Sequence, residues 1–569
     1  MSEVDINILD SSLRIGLISG VSSSGITINL SHAGLRSASY HQGGRYGRGE
    51  VGEIVLIEGQ TVIIIGKIID IRLPEKERTS LHPHAVKSES LDAIAYVQIL
   101  GSVDIRSLSV TAGVTSYPRI GDVVYSATTQ FLSILPQLTD HDYLSIRSKS
   151  VSIDIGKVSD SSLDSVKITP EKLFGRHCAI LGSTGGGKSW TTARLIQECA
   201  RFKNAKIIIL DATGEYRNLP SAYTKHMHLG EPLNKNIESL PFLIPPTDFE
   251  ESDFLTLFEP SGRVQGPKLR AAIKSLRLAS LAPEAADNGV IKKINQSKDR
   301  YREAMRSNNN ASLVDKPSQP FDVKKIVSQI QEECHYVNSD GSWGNQNANE
   351  VSYCSSLFTR ILGVIHSKSF SSVFSDEQLP SLEDTIKSFL ESDKKILRLC
   401  LSSTSYEFNA REILANVIGR KLLGFARQEL FTSRPILTVI DEAHNFLGKR
   451  VGFEEYSVKL DAFEIIAKEG RKYGLNVCLA TQRPRDITEG VLSQMGTLLV
   501  HRLTNSNDRE IVERACGEAD KSIISFLPNL KQGELTIIGV DFPIPLTVQV
   551  HTPTPPPLSD SPSYQDLWG

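Results

Sequence analysis

Thirteen residues constrain this chain more than any others: Cys178-Ala179-Ile180-Leu181-Gly182-Ser183-Thr184-Gly185-Gly186-Gly187-Lys188-Ser189-Trp190. They read as a short apolar strand, a glycine-rich turn, and Lys-Ser opening a helix that runs from Trp190 to Ala200. Gly182, Gly187, Lys188 and Ser189 fit the phosphate-loop pattern G-x-x-x-x-G-K-[ST], in the strand-before, helix-after setting the motif requires. The chemistry explains the residue types. Glycines let backbone N–H groups converge on phosphate oxygens without Cβ clashes. The helix N-terminus adds a dipole that favours anions. Lys188 is placed to reach the β- and γ-phosphates of ATP, and the Ser189 hydroxyl to bind Mg²⁺.

A phosphate loop alone indicates a nucleotide; three later stretches point to hydrolysis. Ile436 to Ile440 is an apolar strand ending in Asp441-Glu442. Ligands of open α/β sheets bind at the carboxyl ends of the strands, so Asp441 is expected to hold the Mg²⁺ shell. Glu442 is expected to orient and deprotonate the attacking water. The strand Asn476 to Ala480 ends in Thr481-Gln482-Arg483-Pro484, and Gln482 is the candidate sensor of the γ-phosphate. Lys206 to Leu210 runs into Asp211-Ala212-Thr213-Gly214-Glu215-Tyr216. Either Asp211 or Glu215 can assist with water or metal there, and a turn-stabilising Asp is an equal reading. Arg471, in Lys468-Glu469-Gly470-Arg471-Lys472-Tyr473-Gly474, fits a helix C-terminus that complements the dipole. It fits equally an arginine finger reaching a neighbouring subunit's nucleotide, a device worth about 10³–10⁵ in turnover elsewhere.

Around the motifs the chain divides. Residues from about 12 to 150 carry short β-branched runs and Gly-rich turns, which predict an N-terminal all-β barrel domain (1–150). Its inserts 37–48 and 74–90 read as polar loops, with His82 and His84 as loop residues rather than metal ligands. Residues 151–175 read as a last strand plus a linker. From 176 to 550, strands alternate with helices: Cys178 to Leu181, Lys206 to Leu210, Ile396 to Leu401, Ile436 to Ile440, Asn476 to Ala480, Leu498 to Val500 and Leu535 to Ile538 predict a parallel α/β sheet. A polar stretch, about 220–390, reads as a helical insertion. In it Arg270, Lys274 and Arg277 line one face of a predicted helix Leu269 to Leu281, a solvated face by default and a DNA-facing one by alternative. The proline-rich tail 551–569 is expected to run extended along a surface.

Charge adds little. With 63 basic and 66 acidic residues the net charge is −3, so a nucleic-acid partner has to be met by local patches or a ring lumen. Seven scattered cysteines lack metal-ligand spacing and read as reduced thiols of a cytoplasmic protein. The most apolar window, 54–71, is broken by Glu58, Gln60 and Lys67, so no membrane span is expected.

With these motifs in order, the chain resembles the HerA family of hexameric DNA-translocating ATPases, relatives of FtsK built on a RecA-like P-loop NTPase core. The match is carried by Phe174-Gly175-Arg176-His177 leading into the phosphate loop, then Asp211 to Tyr216, Asp441-Glu442-Ala443-His444-Asn445-Phe446, Gly470 to Gly474 and Thr481 to Pro484. The resemblance implies that Arg176 approaches the nucleotide, that Gly185 to Trp190 wrap the phosphates, and that Arg471 is the finger acting in trans. It further implies a homohexamer that threads double-stranded DNA, a tail that braces the next subunit, and a partner: a NurA-like nuclease, or a nuclease or NAD-consuming effector of antiphage defence. Ala212-Thr213 departs from the family's usual Pro-His. The stretch 260–350 is poorly matched, so the resemblance assigns no DNA-contacting residue within it. Two rival readings stand beside this one: an ATP-regulated ring scaffold that activates an effector, and a membrane-linked pump of the FtsK or conjugation type, which the missing membrane segment disfavours.

Overall fold

The strand Ile26–Leu30 alternates in burial along its length, and it closes the N-terminal sheet. It pairs antiparallel with Arg14–Val21 on one side and with Ala93–Asp104 on the other. Between them the ring continues through Val123–Ser126, Ile54–Glu58 and Val62–Arg72, while Val110–Ala112 adds to the outside of Ala93–Asp104. Closure leaves Ile18, Ile28, Val55, Ile64, Val97 and Val124 packed in one interior, the outcome β-branched alternation favours. This is a computed structural model. It describes residues 8–559 except 24, 31–38, 42–43, 47–48, 74–92, 115, 139–150, 160, 162–163, 231–237, 368–369, 371–372, 375–377, 405–406, 448–449, 453–457 and 517–520, together with 564 and 568. His82, His84 and the whole 74–90 insert lie outside those residues.

The chain forms two units, residues 1–203 with 476–561, and residues 204–475 with 562–569. In the first, beside the barrel, the strands lie in the order Ser165–Ile168, Ile153–Val158, Phe542–Val550, Glu534–Gly539, Thr497–His501, Cys178–Leu181, Leu475–Thr481. Cys178–Leu181 is parallel to both neighbours. Glu534–Gly539 and Phe542–Val550 run antiparallel, which corrects the expectation of an all-parallel sheet. The stretch 151–175 holds two paired strands and the helix Pro170–Phe174 where one strand and a linker were expected. Another difference is the helix Thr129–Leu138 inside the segment read as all-β. Its apolar face is buried, and its Pro136 carbonyl accepts from Lys172 Nζ at 2.5 Å. A short strand pair, Ser39–His41 with Gly44–Tyr46, occupies the insert read as a loop.

The second unit is a parallel sheet in the order Ile436–Ile440, Lys206–Asp211, Ile396–Cys400, Thr224–His228, Leu240–Pro241. Thr224–His228 belongs to this sheet, so the insertion starts later than position 220. Its largest helix, Gly262–Leu281, buries Leu269, Ala272, Ile273 and Leu276. The predicted basic face is neither free nor wholly solvated. Arg270 pairs with Glu251 and Lys274 with Asp315, each at 2.9 Å, while Arg277 is buried over the Phe321 ring. A hairpin, His335–Val337 with Trp343–Gln346, interrupts the helices. Among the described residues no helix is long and apolar enough to cross a membrane.

Candidate functional site

In the first unit the four residues Cys178–Leu181 are all buried, as a strand with neighbours on both sides requires. The chain then turns through Gly185 (φ 74°) and Gly187 (φ 112°) into the helix Lys188–Ala200. Those left-handed angles favour glycine. Space matters as much: a Cβ on Gly182 would stand 2.6 Å from His501 Cβ. The turn is pinned by Gly186 N–H to the Ser183 carbonyl at 3.1 Å and by Ser183 N–H to the Arg502 carbonyl at 3.0 Å. Lys188 Nζ donates to the Ser183 carbonyl at 3.1 Å, folding the ammonium over the loop it is expected to serve. Ser189 and Trp190 follow in the first helical turn, both partly exposed.

Gln482 is brought to this loop: its Oε1 accepts from the Thr184 hydroxyl at 2.5 Å. Arg176 is half-exposed, with its Nε 3.5 Å from Asp541 Oδ1. A Cβ on Gly496 would meet both side chains, so this position too is restricted to glycine by space. Sequence reasoning missed His501, which lies beneath the loop. It is buried and bonded at both ring nitrogens, to Thr191 Oγ1 at 2.9 Å and to the Glu534 carbonyl at 2.8 Å. Its place at the end of an apolar run followed by Arg502 was the available signal. The tail is bonded to the helix Lys188–Ala200 of its own chain: Thr554 N–H donates to Gln197 Oε1, and Gln197 Nε2 to the Pro555 carbonyl, each at 2.8 Å.

The second unit gathers carboxylates at the carboxyl ends of Lys206–Asp211 and Ile436–Ile440. Asp211 is fully buried and spoken for. It accepts from Arg398 Nε at 2.6 Å and from the N–H groups of Gly214, Glu215 and Tyr216 at 2.8, 3.2 and 3.2 Å. Of the two open readings, Asp211 therefore builds the turn, and Glu215 is the carboxylate it presents. Arg398, hidden in the apolar run of Ile396–Cys400, was not found from the sequence. Asp441 is buried and accepts from Thr213 Oγ1 at 3.2 Å. Burial first, then the charges of Glu215, Asp211 and Glu442, push its carboxyl well above the usual carboxylate range. Glu442 is held in the left-handed region (φ 48°, ψ 46°), a conformation that costs a non-glycine residue about 1–3 kcal/mol. His444 Nδ1 lies 3.2 Å from its Oε2. Arg471 is exposed on the short 3-10 helix Gly470–Tyr473 and pairs with no carboxylate among the described residues.

Carboxylate and hydroxyl oxygens are the ligand types a hard divalent ion such as Mg²⁺ takes, although among the described residues no group of three or more His, Cys, Asp or Glu is arranged to hold a metal ion. Residues 153–419 match the family described as Helicase HerA, central domain. Curated relatives agree across most of the chain. "Probable helicase MJECL08" of Methanocaldococcus jannaschii is 25% identical over 508 residues, 88% of this chain and 87% of that one. The "DNA double-strand break repair helicase HerA" of Pyrococcus furiosus is 25% identical over 475 residues, 81% and 78% of the two chains. Over residues 153–419 the chain is therefore similar to the central domain of the HerA helicases. Among solved structures, the bacterial conjugative coupling protein TrwB aligns over 74% of this chain and 92% of its own, at 12% identity and a TM-score of 0.42. The chain carries a phosphate loop, an Asp-Glu strand end and a Gln-bearing strand tip in that order along the sequence.

Proposed function

We propose that this chain is an ATP-driven DNA translocase that works as a homohexameric ring on double-stranded DNA. In this reading Lys188 and the N–H groups of 183–189 hold the phosphates, and Ser189 and Asp441 take Mg²⁺. Glu442 orients a water and accepts its proton as the oxygen bonds to the γ-phosphorus. The bond to the β-phosphate oxygen breaks, and ADP and phosphate leave. Gln482 senses the γ-phosphate, Arg176 lies against the nucleotide, Glu215 assists with metal or water, and Arg471 acts on the neighbouring protomer's ATP. The observation that carries the reading is the place of Asp441 and Glu442 at the carboxyl end of Ile436–Ile440. Asp441 is buried and bonded to Thr213 Oγ1 at 3.2 Å, its carboxyl pushed up by burial first and then by the charges of Glu215, Asp211 and Glu442. Such crowding of acids at a strand end is typical of functional sites. The DNA substrate rests on the similarity to the helicases named above, and a nuclease or NAD-consuming effector as partner rests only on the family resemblance of the motifs.

ATP turnover of the purified chain, with and without linear duplex DNA and without partner, tests this. Stimulation by duplex ends or length is expected, weakening as salt rises because backbone phosphates supply the contacts. Turnover indifferent to DNA at every salt concentration would replace the translocase with an ATP-switched scaffold for an effector.

A further inference from the structure

One histidine lies against both ends of the phosphate loop. His501 closes the strand Thr497–His501, fully buried. A Cβ on Gly182, where the loop leaves its strand, would stand 2.6 Å from His501 Cβ. One on Gly187, where the loop enters its helix, would stand 3.2 Å from His501 Cε1. The ring's polar atoms are equally committed. Nδ1 faces the Glu534 carbonyl oxygen at 2.8 Å, so this nitrogen carries the proton and donates. Nε2 is then an acceptor, and the Thr191 hydroxyl donates to it over 2.9 Å. Thr191 lies in the first turn of the helix, and its N–H donates to the Gly187 carbonyl at 2.9 Å. The next residue continues the grip: the Arg502 carbonyl accepts from both Ser183 N–H and Ser183 Oγ at 3.0 Å.

We propose that His501 is a positioning residue of the nucleotide site, holding the phosphate loop in its anion-binding curve by supporting Gly182 and Gly187 and by anchoring Thr191 to the Glu534 strand. This deepens the nucleotide-hydrolysis reading above and rests on it. A cradle of N–H groups binds phosphate well only when built beforehand, since donors that must first reorganise lose affinity. A flexible side chain at 501 would fill the space yet leave the loop free to relax. The imidazole is rigid, planar and bonded at both ends. It is also uncharged at neutral pH, because burial holds it down to about 4, so it places no second cation beneath Lys188.

The experiment is steady-state ATP kinetics and titration with a fluorescent ADP on the full chain, for Thr191→Val and His501→Asn. Thr191→Val removes the hydroxyl at almost constant volume. His501→Asn keeps a donor for Glu534 and loses the reach to Thr191. Each variant is expected to raise KM and weaken ADP about tenfold while kcat changes less than twofold, and the double variant to be no worse than the weaker single, as for two residues on one link. A residue that merely stabilises the fold would lower the active fraction, and thus kcat, at unchanged KM. If His501→Asn fails to fold, Thr191→Val decides alone. ADP binding by folded Thr191→Val within twofold of the parent overturns the proposal. Lys188→Ala separates the two readings: if it too keeps near-normal turnover, the nucleotide-hydrolysis assignment falls, whereas a dead Lys188→Ala beside a normal Thr191→Val removes only the role of His501.

Discussion

Thr184 donates its hydroxyl to Gln482 Oε1 over 2.5 Å, joining the tip of the phosphate loop to the tip of the next strand. The bond couples two features that the sequence presents 298 residues apart. In the proposed reading, a γ-phosphate oxygen arriving at the loop would compete for the same groups, which is what a sensor of the triphosphate requires.

Gln482→Ala is therefore expected to lower kcat about 10²-fold, the usual cost of removing one polar contact to the charge that develops in the transition state. ADP affinity should stay within twofold. A coupled ATPase assay beside an ADP titration checks this. Loss of ADP affinity equal to the loss of kcat would make Gln482 a support of the loop instead.

Asp211 and Arg398 form a pair with side-chain exposures of 0% and 4%. Arg398→Leu leaves a buried carboxylate without its cation, and is expected to cost about 3–5 kcal/mol, read as a lowered melting temperature. Asp211→Asn/Arg398→Leu should recover part of that loss. Glu215→Gln should leave the melting temperature in place and lower turnover, since Glu215 is presented by the turn rather than building it.

Acid should weaken the unit that holds the phosphate loop. An unfolded imidazole takes its proton near its ordinary value of 6.5, and the folded His501 only near 4. Between these values the unfolded state binds more protons. The contribution of His501 is complete above pH 6.5 and is lost as pH falls toward 4, on the order of 3 kcal/mol in all. Melting temperatures at pH 7 and pH 5 should therefore separate less for His501→Asn than for the parent chain. Equal separations would mean that His501 is already protonated in the folded protein.

Local signals were legible, and distant ones were not. The phosphate loop and the strand before Asp441 each state their structure within a dozen residues, and the barrel shows in β-branched alternation. Thr224–His228 escaped because Thr-Lys-His-Met-His reads as polar surface, although its His226 and His228 are buried. Phe542–Val550 escaped because Pro543 and Pro545 argue against a strand. They lie two apart, so both missing N–H groups fall on one side, and Ile153–Val158 pairs only with 548–550. The site residues that went unseen, Arg398 and His501, acquire meaning only through partners far along the chain: Asp211 for one, Thr191 and Glu534 for the other. No pattern at fixed spacing encodes such pairs. Arg277 failed in the opposite direction, since i, i+4, i+7 spacing describes a helix face but not what the fold lays over it.

The account depends on protomers sharing each ATP, one supplying Lys188 and Glu442, the next supplying Arg471. The most direct measurement is turnover in mixtures of Arg471→Ala and Glu442→Gln chains, each inactive alone, after subunit exchange into mixed rings. Activity should reappear, peaking near equal proportions, because an Arg471→Ala subunit with its intact Glu442 can then adjoin a subunit that still carries the arginine. Mixed rings that stay inactive at every ratio would contradict it.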